Sequence, residues 1–234
     1  MKIAVISDLH IGAGGRVDRF GHEEASFLRF LDFLAASFER VVVLGDALEL
    51  LHGPRPGAYR AQVEAIRAAR PRLFQRLMSP PFTYVHGNHD LAAGRLLSAP
   101  SELVIEAGDA RVLLLHGHQG DFIVRHAYPV AAFLSWVGGM VERVVGPRLA
   151  RWLDDVDHLV TSPKRTADCP FQQWAVAQAH RHAADVVVTG HTHVPVVAEH
   201  GDRVFMNSGT CSRGRFDFLA IDTATGTFQH HERW

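Results

Sequence analysis

Five times along this chain a short, largely apolar run stops at a cluster of Gly, Asp, Asn or His. Residues 3–6 lead into Asp8 and His10, residues 41–44 into Gly45-Asp46, and Phe82–Val85 into His86-Gly87-Asn88-His89-Asp90. Residues 112–115 lead into His116-Gly117-His118, and Val186–Thr189 into Gly190-His191-Thr192-His193. Runs this short, rich in β-branched residues and bounded by turn residues, read as buried strands. Side chains two apart on an extended segment point the same way, so Asp8 and His10 reach one point just past their strand.

Between the strands lie helical patterns. Phe27, Leu28, Phe30, Leu31 and Leu34 recur at helical spacing with Glu23, Glu24, Arg29 and Asp32 between them, which predicts a helix whose Phe residues are core. Val63, Ile66, Leu73, Phe74 and Leu77 mark another helical region, interrupted at Pro71. The last third reads as short strands at 195–198, 203–206, 216–221 and 227–231, with turn chemistry at 222–226. Strands alternating with helices predict a layered α/β sandwich. In such sheets ligands bind beyond the carboxyl ends of strands, where every polar cluster sits.

At 234 residues the chain accommodates one large α/β domain or two small ones, and with no internal repeat the expectation is a single domain over 1–234. Its start has too short an apolar core for a signal peptide, and no apolar run reaches the roughly 18 residues that span a membrane. Cys169 and Cys211 form no C-x-x-C spacing, so the expectation is reduced thiols in a cytoplasmic protein. A net charge of −1 and the lack of a basic stripe with interleaved aromatics argue against a specific nucleic-acid partner. Sixteen histidines are the one compositional oddity. Of these, His22, His52, His126, His158, His180, His182, His200, His230 and His231 lie off the strand ends and read as solvated.

The strand-end donors are Asp8, His10, Asp46, Asn88, His89, Asp90, His116, His191 and His193. Oxygen and imidazole ligands without thiolate suit Mn, Fe, Co or Zn. They suffice for two divalent ions, with a carboxylate such as Asp46 between them. Two such cations against two ligand carboxylates leave a net positive site that favours an anionic substrate. The ions lower the pKa of a water between them and neutralise charge on a phosphoryl oxygen. Residue types alone therefore point to metal-assisted hydrolysis of a phosphoester. His86 and His118 alternate away from the ligand positions and read as supporting or structural. Glu49 reads equally as support for the site or as an exposed helix start. Arg213 and Arg215, beyond the loop of Asn207, Ser208, Gly209 and Thr210, read as phosphate contacts or surface salt bridges.

Asp8-Leu9-His10, Gly45-Asp46, Gly87-Asn88-His89-Asp90, His116 and Gly190-His191-Thr192-His193 resemble, in order, the motif set of calcineurin-like metallophosphoesterases. The resemblance covers nearly the whole chain, and no core motif is missing. It implies a four-layer α/β/β/α sandwich of two mixed sheets flanked by helices. It implies one metal on Asp8, His10, Asp46 and His193, and a second on Asp46, Asn88, His116 and His191. His89 would then face the substrate and stabilise or protonate the leaving oxygen, with Asp90 setting its orientation.

Between His116 and the fifth strand lie about seventy residues, more than a connection needs. A helical insertion is expected at 122–182. It is either extra packing on the domain or a cap over the metals. As a cap it would offer Phe133, Leu134, Trp136 and Met140 to a lipid-like substrate. Arg143, Arg148, Arg151, Lys164 and Arg165 would then face phosphate or headgroups. An insertion at this position is similar to that of the UDP-2,3-diacylglucosamine pyrophosphatase-like branch, as are the His116-to-Asp121 pattern and the Gly-His-Thr-His-x-Pro ending. His89 departs from it, standing where the enterobacterial-type enzymes have arginine. The branch implies a lipid-linked pyrophosphate substrate and peripheral association with the inner membrane face through the cap. The alternatives are a soluble phosphodiesterase or phosphatase acting on nucleotides or other small phosphoesters, and a metal-bound, non-catalytic binding module.

Overall fold

Each two-faced strand divides its side chains between different cores, and that division builds the layers. The computed structural model describes residues 1–108, 110–145, 169–232 and 234. In it β1 (Lys2–Ile6), β2 (Arg40–Leu44) and β3 (Phe82–Val85) run parallel. The second sheet holds β4 (Glu102–Ala107), β5 (Ala110–Leu115), β6 (Val186–Thr189), β7 (Val196–His200) and β8 (Arg203–Asn207) in the order β4-β5-β6-β8-β7. Its β5, β6 and β8 are parallel. Two antiparallel strands, β9 (Phe218–Asp222) and β10 (Thr227–His231), extend the first sheet into the order β10-β9-β1-β2-β3.

Ile3, Val5, Val42 and Leu44 meet Val112, Leu114, Val186 and Val188 between the sheets. Ala4, Ile6, Val41 and Val43 face the opposite way, against α1 (Glu24–Ser37), α2 (Tyr59–Ala69) and α3 (Pro71–Leu77). Phe27, Phe30, Leu31 and Leu34 are the buried stripe of α1, and Pro71 opens α3, where its missing N–H costs no bond. The short α4 (Ala93–Leu96) follows β3, and α5 (Phe122–Val145) follows β5. On the outer face of the second sheet, Ala175, Val176 and Ala179 of α6 (Pro170–Arg181) pack on Leu113, Leu115, Val187 and Phe205. The result is the expected four-layer α/β/β/α sandwich of two mixed sheets.

Two expectations change. Strand β4 is not foreseen from the sequence because Glu102 and Glu106 break its apolar pattern, yet it pairs along its whole length with β5. As the edge strand of its sheet it leaves those glutamates exposed. The insertion expected at 122–182 does not behave as one unit. Its last helix, α6, belongs to the outer layer, because its small apolar residues fit the sheet surface. Of its described helices, α5 is the one that lies away from the sheets, and it is kinked at Ala127 (φ −138°, ψ 35°), just before Pro129. Arg148, Arg151, His158, Lys164 and Arg165 lie outside the described residues. Among the described residues no helix is long and apolar enough to cross a membrane.

Candidate metal centre

Parallel pairing of β1 with β2 and β2 with β3 sets their carboxyl ends side by side, so the strand-end donors emerge at one edge. There the backbone turns sharply. Asp8, His10, Asp46, His191 and His193 have φ of 53°, 48°, 51°, 67° and 57°. The left-handed region costs a non-glycine residue on the order of 1–3 kcal/mol, and such residues cluster at functional sites. Backbone bonds offset it here: Asp8 N–H donates to Gly45 O at 3.1 Å and His10 N–H to Asp46 O at 2.9 Å. Gly45 is required twice over, by φ of +83° and because a Cβ there would stand 2.3 Å from His116 Nδ1.

Ligand atoms of Asp8, His10 and His193 lie within 4.8 Å of one another, and so do those of Asp46, His116 and His191. His193 Nε2 is 3.0 Å from Asp8 Oδ1, while His116 Nε2 is 3.2 Å from Asp46 Oδ2 and 3.8 Å from Asp8 Oδ1. His10 Nδ1–H donates to Glu49 Oε2 at 3.1 Å, and His116 Nδ1–H to Leu44 O at 2.8 Å. In the neutral rings those bonds leave the lone pair on Nε2. Both Nε2 atoms, and Asn88 Oδ1, are buried without a hydrogen-bond partner. Orphaned acceptors facing paired carboxylates are a costly arrangement for a protein alone and a fitting one for divalent cations.

Without cations, protons balance the charge. Burial pushes Asp8 up, but His193 and His116 outweigh it and hold the carboxyl at about 2. Asp46 is likewise held well below the usual range, burial being overcome by His116 and His89. Burial works against the His116 imidazolium, yet Asp46 and Asp8 lift it to about 10. The same contest at His89 is won by Glu49 and Asp46, at about 9.

Glu49 is buried, not an exposed helix start. Its carboxylate receives His10 Nδ1 and, at 3.0 Å, His89 Nδ1, and caps the N–H groups of Leu51 and His52. It, rather than Asp90, orients the His89 ring. The Asp90 carboxylate is occupied by the N–H groups of Gly87, Asp46 and Leu48 and by the Tyr84 hydroxyl, so it binds two donor loops together. Its effect on His89 passes through the backbone. The spacing of Glu49 after Asp46 was the available signal; for Tyr84, inside an apolar strand, there was none.

Two histidines expected to be solvated are not. His52 is buried, its Nε2 3.2 Å from Ser135 Oγ on α5. His22 packs among Phe20, Phe27 and Phe216. His86 and His118 are buried behind the donors, with His118 5.6 Å from the His116 ring. Arg215 forms a salt bridge with Asp217 at 2.7 Å, the second of its two readings. The loop of Asn207 to Thr210 braces the site, Thr210 Oγ1 donating to Asp8 O at 2.9 Å.

Fold and site together define a metal-dependent phosphoester hydrolase. The calcineurin-like phosphoesterase model matches residues 1–195, and the chain belongs to that family. The UDP-2,3-diacylglucosamine hydrolase of Escherichia coli O7:K1 is 29% identical over 219 residues, 85% of each chain. That of Escherichia fergusonii is 29% identical over 191 residues, 75% of this chain and 77% of its own. Among solved structures, the chain is similar to Yfce, a phosphoesterase from E. coli, over 99% of both chains at 18% identity with a TM-score of 0.45.

Proposed function

We propose a dinuclear metal-dependent phosphoesterase that hydrolyses a phosphodiester or pyrophosphate bond. One ion takes Asp8, His10, Asp46 and His193, the other Asp46, Asn88, His116 and His191. The observation carrying this reading is the set of buried, unpartnered ligand atoms, His10 Nε2, His116 Nε2 and Asn88 Oδ1, around two carboxylates. When bound, two divalent ions supply an activated water and neutralise phosphoryl charge; Mn is the first expectation, and Fe, Zn and Co suit the same donors. His89, held as an imidazolium by Glu49, keeps Nε2–H for the departing oxygen.

For the substrate, a lipid-linked pyrophosphate such as UDP-2,3-diacylglucosamine is supported by the names of the relatives. It is also supported by α5, which docks beside the centre. Tyr128 Oη donates to Asn88 O at 2.9 Å and Trp136 Nε1 to Gly53 O at 3.1 Å. The helix turns Phe122, Phe133 and Leu134 outward, 76%, 53% and 61% exposed. In this reading α5 is the cap, its outer face against acyl chains at the inner membrane face.

Purified protein is expected to carry Mn, Fe, Zn or Co by elemental analysis and to hydrolyse bis(p-nitrophenyl) phosphate. Chelation should abolish turnover and added Mn restore it, and Asn88→Ala or His89→Ala should lower kcat about 100-fold. Turnover indifferent to chelation and to both substitutions overturns the catalytic claim.

A further inference from the structure

Near the donor cluster lies a cavity of about 540 Å3, bounded by α5, α6 and the turn at His118–Gly120. Such a volume suits a small organic ligand. Trp174 of α6 lines it, so close to Gly120 that a Cβ on that glycine would come within 2.6 Å of the indole. Tyr128 of α5 lines it as well, and its bond to Asn88 O ties the cavity to the loop of the metal donors. His118, two residues past His116, is also in the lining, so the cavity lies next to the loops that carry Asn88 and His116.

Arg125 and Arg181 complete the lining. Neither guanidinium meets a carboxylate among the described residues; Arg181 Nη1 reaches only Gln178 Oε1, at 3.4 Å. The nearby acid, Asp121, is already engaged, accepting from the N–H groups of Ile123 and Val124 and standing 3.7 Å from His191 Nε2. Two guanidinium groups that meet no carboxylate among the described residues favour an anion, and the aromatic rings that share their lining favour a flat π-system. An acyl chain would gain nothing from the arginines, and a bare phosphate nothing from the indole. A nucleotide uses both.

We propose that this cavity binds the nucleoside-phosphate half of the substrate, with Trp174, Arg125 and Arg181 selecting nucleotide esters over other phosphoesters. The proposal rests on the phosphoesterase reading and adds to it a direction: the nucleotide lies on the α6 side of the centre.

Calorimetric titration of the full chain with uridine monophosphate, ribose 5-phosphate and inorganic phosphate separates the contributions. Uridine monophosphate should bind at least about tenfold more tightly than ribose 5-phosphate, through stacking. Arg125→Ala with Arg181→Ala should weaken both by about tenfold or more. Trp174→Leu should erase the preference for the base and Trp174→Phe retain it, the second variant guarding against a folding defect. In turnover, the double arginine variant should raise KM for a p-nitrophenyl nucleotide ester about ten times more than for bis(p-nitrophenyl) phosphate. Equal binding of the three ligands, or an arginine variant that binds uridine monophosphate like wild type, overturns the proposal. Failure of the metal-loaded wild type to cleave bis(p-nitrophenyl) phosphate would instead defeat the phosphoesterase reading, while nucleotide binding with the stated variant pattern would still establish the cavity.

Discussion

At His116 a proton and a cation compete for one nitrogen. Its Nδ1–H is committed to Leu44 O, so only Nε2 can face Asp46 and Asp8. Those carboxylates outweigh burial and hold the imidazolium at about 10, so at neutral pH a metal must displace that proton before His116 can ligate. Metal affinity should then rise with pH up to that value, about tenfold per unit for each proton displaced. Calorimetry at pH 7 in buffers of different ionisation enthalpy should show about one proton released from His116 as the site proposed to include it fills; a buffer-independent binding enthalpy would contradict it. The same scale shows the limit of spacing as a guide. Asp8, His10 and Asp46 were legible because a strand end projects them; Glu49 was ambiguous because only burial distinguishes a positioning carboxylate from a solvated one.

At the scale of elements, the segment between β2 and α2 is where α5 meets the site. His52 carries much of that contact: Ser135 Oγ stands 3.2 Å from its Nε2, its backbone carbonyl accepts from Arg143, and Gly139 approaches its ring so closely that a Cβ would stand 2.9 Å away. Burial is the main cause that holds its pKa at about 4, even though Glu49 pulls the other way. The unfolded chain, near 6.5, takes up the proton first as pH falls. Stability is therefore fully present above pH 6.5 and is lost progressively down to about pH 4, by about 2 kcal/mol at pH 5 from this group. Denaturant titration of chelated protein at pH 7 and pH 5 should show that loss, and His52→Gln should reduce it; an unchanged pH slope in the variant would remove His52 as its source. A sequence cannot show this burial, since the covering residues come from a helix more than eighty positions away.

For the whole molecule, the decisive feature is that α5 docks through one side and turns Phe122, Phe133 and Leu134 of the other to the surface. With α5 as the cap, replacing Phe133 and Leu134 together by Asp should cut sedimentation with vesicles of phosphatidylethanolamine and phosphatidylglycerol about tenfold or more. Association unaffected by the pair would separate α5 from membrane contact. The donor set lies away from these positions, so cleavage of bis(p-nitrophenyl) phosphate provides the control for folding.

Local pattern was enough for the layers and for the strand-end donors. A short run of β-branched, apolar residues bounded by turn residues reads as a strand between two cores, and the residues just past its carboxyl end emerge at the sheet's edge. It was not enough for β4, whose edge position permits exposed glutamates, nor for the division of the 122–182 segment between α5 and the outer-layer helix α6. The tertiary structure alone decided which carboxylate holds His89, which histidines are dry, and that Trp174 and two arginines share a cavity beside the donors. Those are contacts between residues far apart in the chain, and their energies depend on burial, which no single segment carries.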